Sequence, residues 1–278
     1  MADALEVYRD GTFRRLPRLR ITSERAALEF INRCGFCAAF TAGLSVPCLR
    51  EAIAGEREPV LPEHIQHDHA VMMTWRIKDS LPARRAVYYG KVVGGRPGFI
   101  ALDMLPAFLK LRAPVAGHRI LYKRGVLSRC ASLVMDALSK SGPADTRTLK
   151  LASGYTRPRQ RPEFDRAMAE LQEKFLALKV EERYDPFTYV WDTFERRFET
   201  ALAEAVALSR DDAVRRIVDR YFEIAGFGTI RDLARLVAID PSMIERAARK
   251  LEREGIVKGG VRIGRSGANF VLTRLLQS

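Results

Sequence analysis

Apolar positions in the second half of the chain recur at helical spacing, break at glycine or proline, and then switch to the alternation of strands; this succession occurs twice. In the first copy, Ser128 to Ser141 places Leu133, Val134, Ala137 and Leu138 on one helical face, and Gly142-Pro143 stops it. Asp145 to Ala152 reads as a short helix with Asp145 as its N-cap and Gly154 at its end. Glu163 to Phe175 supplies a longer helix with Phe164, Ala167, Met168 and Leu171 at core spacing. Leu176 to Glu182 and Phe187 to Trp191 read as strands around a Tyr184-Asp185-Pro186 turn. The second copy opens at Ser209, carries Val214, Ile217, Val218, Tyr221 and Phe222 on its apolar face, and ends at Gly226. Thr229 to Val237 is its short helix, and Pro241 to Glu254, entered through Asp240 and left through Gly255, is its long one. Ile256 to Lys258 and Asn269 to Arg274 read as strands flanking a glycine-rich loop, Gly259 to Gly267. Arg147 and Leu149 align with Arg231 and Leu233, and Phe164, Ala167 and Leu171 with Ile244, Ala247 and Leu251. The first copy carries an insertion in its basic loop, Thr156 to Arg161.

Helix, short helix, long helix and hairpin, in that order, describe a winged helix, whose third helix can enter a major groove while the hairpin reaches phosphates. The predicted class is therefore mainly α with small β-hairpins, an α+β chain of tandem winged helix-turn-helix domains, three in number if the N-terminal part is a diverged copy. The expected divisions are an N-terminal α/β region over 1–122 and winged helices over 123–200 and 201–278. In that N-terminal region, Thr22 or Ser23 opens a helix to about Asn32, and Val46 to Ile53 offers a second. Glu56 to His69 is polar and suggests a surface loop, while Val71 to Trp75 and Ala86 to Tyr89 are compatible with strand or helix. Gly94 to Gly98 is a turn, Phe99 to Leu102 a strand and Met104 to Leu111 a helix.

The charge sharpens this picture. Lys and Arg number 47 against 34 Asp and Glu, a formal net charge of +13 in 278 residues. Such an excess points to nucleic acid, anionic membranes or solubility. No basic amphipathic helix carries the apolar face of an interfacial anchor, and no apolar run approaches the roughly 18 residues of a membrane span, so nucleic acid ranks first and no membrane partner is expected. The N-terminus lacks the apolar stretch of a signal peptide, and four unevenly spread cysteines make no disulfide framework, which together suggest a cytoplasmic protein.

Double-stranded DNA is the expected partner; protein partners are not specified by the sequence. Arg246, Arg249, Lys250 and Arg253 decorate the second long helix, Lys258, Arg262 and Arg265 surround its wing, and Arg157, Arg159 and Arg161 precede the first long helix. Glu245, Glu252 and Glu254 alternate with the first group and offer ordinary i,i+4 pairs. The Gly259 to Gly267 loop contains no acid, and its glycines let backbone approach a phosphate, which makes it the leading phosphate-contact segment.

Trp75-Arg76-Ile77-Lys78-Asp79-Ser80-Leu81-Pro82, Tyr88-Tyr89-Gly90-Lys91, Phe99-Ile100 and Leu105-Pro106, followed by the two repeats, resemble the AlkZ-related family of bacterial winged-helix proteins, from about Ile21 onward. That family is similar to the AlkZ/YcaQ winged-helix DNA glycosylases. The resemblance implies three tandem winged helices forming a basic, concave DNA-binding scaffold, with a role in DNA repair, and it makes a glycosylase that excises alkylated or crosslinked bases the alternative function. The glycosylases carry a Gln-x-Gln or Gln-x-Asp pair in a hydrophobic segment after the first helices. Here that spelling occurs as Gln66-His67-Asp68, in a polar stretch, where Asp68 would orient water against a flipped nucleotide and Gln66 would hold it. Trp75, Lys78, Tyr88, Tyr89 and Lys91 are candidate base or ligand contacts; in a strand, one of the two tyrosines must leave the core. Trp191, Tyr189 and Phe187 are also rings that could stack on unpaired bases, but they read as core. Cys34-x-x-Cys37 with Cys48 and His64 contains zinc-type ligands at poor spacing, so no metal and no cofactor are expected.

Overall fold

The computed structural model describes residues 2–61, 63–264 and 267–277. In chain order the first segment contains α1 (Ala2–Thr12), α2 (Glu24–Cys34), β1 (Phe36–Ala38), α3 (Leu49–Ala54), α4 (His69–Ala83), β2 (Val87–Val93), β3 (Arg96–Ala101) and α5 (Leu105–Arg112). The second contains α6 (His118–Lys123), α7 (Arg129–Ser141), β4 (Ala144–Asp145), α8 (Thr146–Ser153), α9 (Arg161–Glu173), β5 (Ala177–Tyr184), β6 (Phe187–Thr193) and α10 (Phe194–Ala207). The last contains α11 (Arg210–Ala225), β7 (Phe227–Gly228), α12 (Ile230–Val237), α13 (Pro241–Arg253), β8 (Val257–Arg262) and β9 (Ala268–Leu272). The chain is α+β, as its sequence pattern predicts.

One local grammar recurs in the three segments. A helix leads into a short strand, two helices follow, and a hairpin closes the set, with sheet orders β1-β3-β2, β4-β6-β5 and β7-β9-β8. Within these sheets the strands pair antiparallel. The leading helices share their caps: Ser23, Ser128 and Ser209 accept from the N–H groups of Ala26, Ala131 and Asp212 at 3.2, 3.2 and 3.0 Å. Each of these helices ends on a glycine at positive φ, namely Gly35, Gly142 and Gly226.

The chain forms two compact units, residues 1–111 with 208–278, and residues 112–207. In the middle unit, Val134, Leu138, Leu149, Phe164, Leu171 and Trp191 form one buried cluster, each large aliphatic or aromatic side chain contributing about 1.5–3 kcal/mol on burial. Within the other unit, Leu5 of α1 packs with Ile263 and Val271, the Gly94 N–H donates to the Leu236 carbonyl at 2.7 Å, and Arg220 reaches the Asn32 carbonyl at 3.0 Å.

Of the two conformations open to Val71 to Trp75 the helix is formed: the stretch lies in α4, because Asp68 caps a helix whose Val71, Thr74, Ile77, Lys78 and Leu81 turn inward. Other elements differ from expectation. Helix α3 starts at Leu49 rather than Val46, since the preceding residues pair as extended chain with Ala38. Helix α9 begins at Arg161, with Pro162 in its first turn. Strand β8 runs through Gly259-Gly260 to Arg262 with a bulge between Lys258 and Val261, which shortens the expected glycine-rich loop. Helices α1, α6 and α10 have no counterpart in the sequence reading.

Candidate nucleic-acid interface

Helix α13 is amphipathic in a way that separates packing from charge. Ile244, Ala247, Ala248 and Leu251 are buried, while Arg246, Arg249, Lys250 and Arg253 are exposed. Arg249 is engaged: it donates to Glu252 at 2.8 Å, stands 3.7 Å from Glu245, and lies 5.1 Å from the Phe270 ring centroid. Among the described residues, Arg246, Lys250 and Arg253 form no ion pair. Arg246, Arg249 and Arg253 edge a shallow depression of about 470 Å³ together with Ser242 and Glu245. Lys258 and Arg262 are exposed on β8, on the same hairpin.

Glu252 links this helix to the wing. Its Oε1 accepts the Gly259 N–H at 2.8 Å while Oε2 takes the Arg249 bond. Those bonds, Arg249 foremost, hold its carboxyl below the usual range. One backbone donor of the glycine segment therefore already has an anionic partner within the chain. Arg265 lies outside the described residues.

In the middle unit, Arg157 and Arg159 are exposed in the turn between α8 and α9, and Arg161 is exposed at the first position of α9. Arg161 stands 3.6 Å from Asp165, an exposed pair of little energetic weight.

The candidate base contacts separate by burial. Trp75 is 41% exposed and packs on Phe40, with ring centroids 5.7 Å apart. Lys78 is turned inward, where its ammonium pairs with Asp79 at 2.6 Å and lies 4.2 Å from the Trp75 ring. Tyr88 is 2% exposed and faces the core; a β-carbon at Gly90 would lie 2.5 Å from its hydroxyl, so that glycine makes the room. Tyr89, on the opposite face of β2, is half-buried on Phe99, and Lys91 is exposed. Phe187, read from sequence as core, is instead 57% exposed, at the tip of the β5–β6 hairpin.

Gln66 is exposed in a single helical turn, Ile65–His67, and the half-buried Asp68 spends one carboxylate oxygen as the N-cap of α4, accepting the Val71 N–H at 2.6 Å. Cys34, Cys37 and Cys48 are buried, and burial pushes all three thiols up. The described residues contain no group of three His, Cys, Asp or Glu placed to hold a metal ion, and none of their helices is long and apolar enough to cross a membrane.

A model of the family described as AlkZ related matches residues 21–237, most of the chain. No curated protein matches. Among solved structures, the Streptomyces sahachiroi DNA glycosylase AlkZ matches with a TM-score of 0.58 at 13% identity, over 97% of this chain and 71% of that one. At that identity the likeness is one of fold.

Proposed function

The chain belongs to the AlkZ-related family, and from that premise we propose that it is a duplex DNA-binding protein in which each of the three recurring segments is a winged helix. The observation that carries the reading is the exposed face of α13, where Arg246, Lys250 and Arg253 form no ion pair among the described residues and feel Asp240 and Glu254 only at longer range, at the position of a recognition helix. Lys258 and Arg262 extend the same charge onto the adjoining wing. Such a set positions a protein on phosphates without specifying sequence.

The glycosylase alternative draws less support. Its pair would stand in a hydrophobic segment after the first helices; the segment that follows α2 is β1, whose Phe36, Cys37 and Ala38 are buried and include neither amide nor carboxylate. Gln66 and Asp68 lie elsewhere, with Asp68 occupied as a helix cap. Binding without base excision is the function these placements favour.

The test is duplex binding across a salt series. The logarithm of the binding constant should fall linearly with the logarithm of salt concentration, and replacing Arg246 and Lys250 by Glu should reduce the slope by about two, one per phosphate contact. Binding that ignores salt, or that survives both substitutions unchanged, removes the proposal.

A further inference from the structure

The middle unit carries its cations in a different place. Its third helix, α9, bears Glu163, Asp165, Glu170 and Glu173 against Arg161 and Arg166, so the helix that would enter a major groove is acidic. Arg147 and Lys150 lie instead on α8, and with Arg161, Asp165, Phe187 and Tyr189 they line an open cleft of about 540 Å³. The cations of this cleft are therefore Arg147 and Lys150 of α8 with Arg161 at the first position of α9, not a row along α9.

Phe187 and Tyr189 stand in the cleft's other wall and belong to a file of rings that continues outside its lining to Tyr184 on one side and Trp191 on the other. Centroids lie 5.9 Å apart for Tyr184 and Phe187, 5.1 Å for Phe187 and Tyr189, and 5.8 Å for Tyr189 and Trp191. Phe187, Tyr189 and Trp191 alternate along β6 and so share a face, and Tyr184 is the cross-strand partner of Phe187. Exposure runs from 64% at Tyr184 and 57% at Phe187 to 6% at Trp191. The inner end is pinned: the Trp191 indole donates to the Thr146 hydroxyl at 3.0 Å, and that hydroxyl donates to the Tyr189 carbonyl at 3.2 Å. A rigid root therefore supports two large rings standing in water.

Two exposed rings at a hairpin tip add nothing to the fold's core, and base pairs in a duplex hide their faces in the stack. Unpaired bases present those faces, and stacking on aromatic side chains beside cations is how single strands are held without regard to sequence. We propose that this cleft binds an unpaired nucleic-acid strand, with bases on Phe187 and Tyr184 and phosphates at Arg147, Lys150 and Arg161. The inference rests on the reading of the chain as a nucleic-acid binder and gives the middle unit a ligand different from that of α13.

The experiment uses the full chain with two labelled probes, an oligothymidylate of about 15 residues, within the span of known single-strand sites, and a blunt duplex. Phe187→Ala should weaken oligothymidylate binding about tenfold, the size of one lost base stack, and leave the duplex unchanged; Arg147→Glu should act in the same direction. Arg246→Glu should do the converse. Because Phe187 is exposed, the variant keeps its fold, which circular dichroism verifies. Duplex binding without oligothymidylate binding overturns this inference alone, and oligothymidylate binding without duplex binding overturns the α13 reading alone. Oligothymidylate binding that Phe187→Ala does not affect assigns the cleft to another occupant, such as a peptide, and also overturns the inference.

Discussion

The Arg9 guanidinium donates from Nε to the carbonyl oxygen of Ala225, 2.9 Å away and 216 positions along the chain. Its Nη2 donates to the Phe227 carbonyl at 2.7 Å, and the group lies 3.5 Å from the Phe227 ring centroid. The last carbonyl of α11 is thus capped by a cation from α1, at the negative end of the helix dipole, and the same guanidinium holds the first carbonyl of β7. Thr12 adds a bond to the Ile224 carbonyl at 2.7 Å, and the Tyr8 hydroxyl donates to that of Glu223. The first helix of the chain completes the fold of its last segment.

Replacing Arg9 by Ala leaves the carbonyls of Ala225, at the end of α11, and Phe227, in β7, without their charged donor. The expected loss is about 2–4 kcal/mol, the scale of charged hydrogen bonds whose acceptors stay desolvated. Arg9→Lys should recover only part of it, since one ammonium lacks the fork that reaches both carbonyls. Thermal unfolding measures the loss, and hydrogen exchange should place it at the end of α11; an unchanged melting temperature refutes the capping role.

Glu252 sets a pH dependence at the α13 wing. Arg249 first, and then the Gly259 N–H, hold its carboxyl below the unfolded value of about 4.3. A depressed folded value means that the contribution is fully present above the unfolded value and is lost as pH falls through the folded one. Glu252→Gln should therefore flatten the acid limb of the wing's stability profile. It also releases Arg249, so duplex affinity at neutral pH should rise about threefold, a surface-pair effect below 1 kcal/mol. Hydrogen exchange of Gly259 and a duplex titration read the two effects, and a weaker complex would contradict the second.

Local signals were legible in the sequence and distant ones were not. The serine caps and terminal glycines of the leading helices, and the apolar faces of α7, α9, α11 and α13, follow from residues within a few positions of each other, and the structure contains them. Helix α1 is short and polar, and what holds it is Leu5 and Arg9 meeting residues more than 200 positions away. Glycines at 259 and 260 suggested a loop because the cross-strand pairing of Val261 with Asn269, which extends β8, is not written locally. Among the candidate contacts, alternation correctly separated Tyr88 from Tyr89 across β2. Phe187 was read as core with Trp191, but how far out on the β5–β6 hairpin a strand residue stands is not decided by alternation, and at the tip the ring is exposed.

The cysteines should be chemically quiet. Burial pushes the Cys48 thiol up to about 12 and the Cys130 thiol up to about 11, and raises Cys34 and Cys37 as well. A raised value depopulates the thiolate, which is the reactive form, at pH 8. A disulfide reagent should label none of the four promptly in the native protein and all four in denaturant. Prompt native labelling of Cys37, which is fully buried, would mean that β1 opens readily.

Asp68 offers a clean separation between capping and chemistry. Its carboxylate accepts the Val71 N–H at 2.6 Å, a bond that an Asn side chain can also accept and an Ala cannot. If capping is its role, Asp68→Asn should be nearly neutral and Asp68→Ala should cost about 1 kcal/mol, measured by denaturant unfolding. If it orients water in a glycosylase, the order changes with the readout: Asp68→Asn would abolish base release while remaining as stable as the parent, because the amide carries no negative charge to stabilise a cationic sugar. The placement of Asp68 at the first turn of α4, with Gln66 exposed beside it, leads us to expect the stability order alone, with no abasic product from the parent or from either variant. Release of a damaged base by the parent that Asp68→Asn removes would reverse that conclusion and make this helix cap part of an active site.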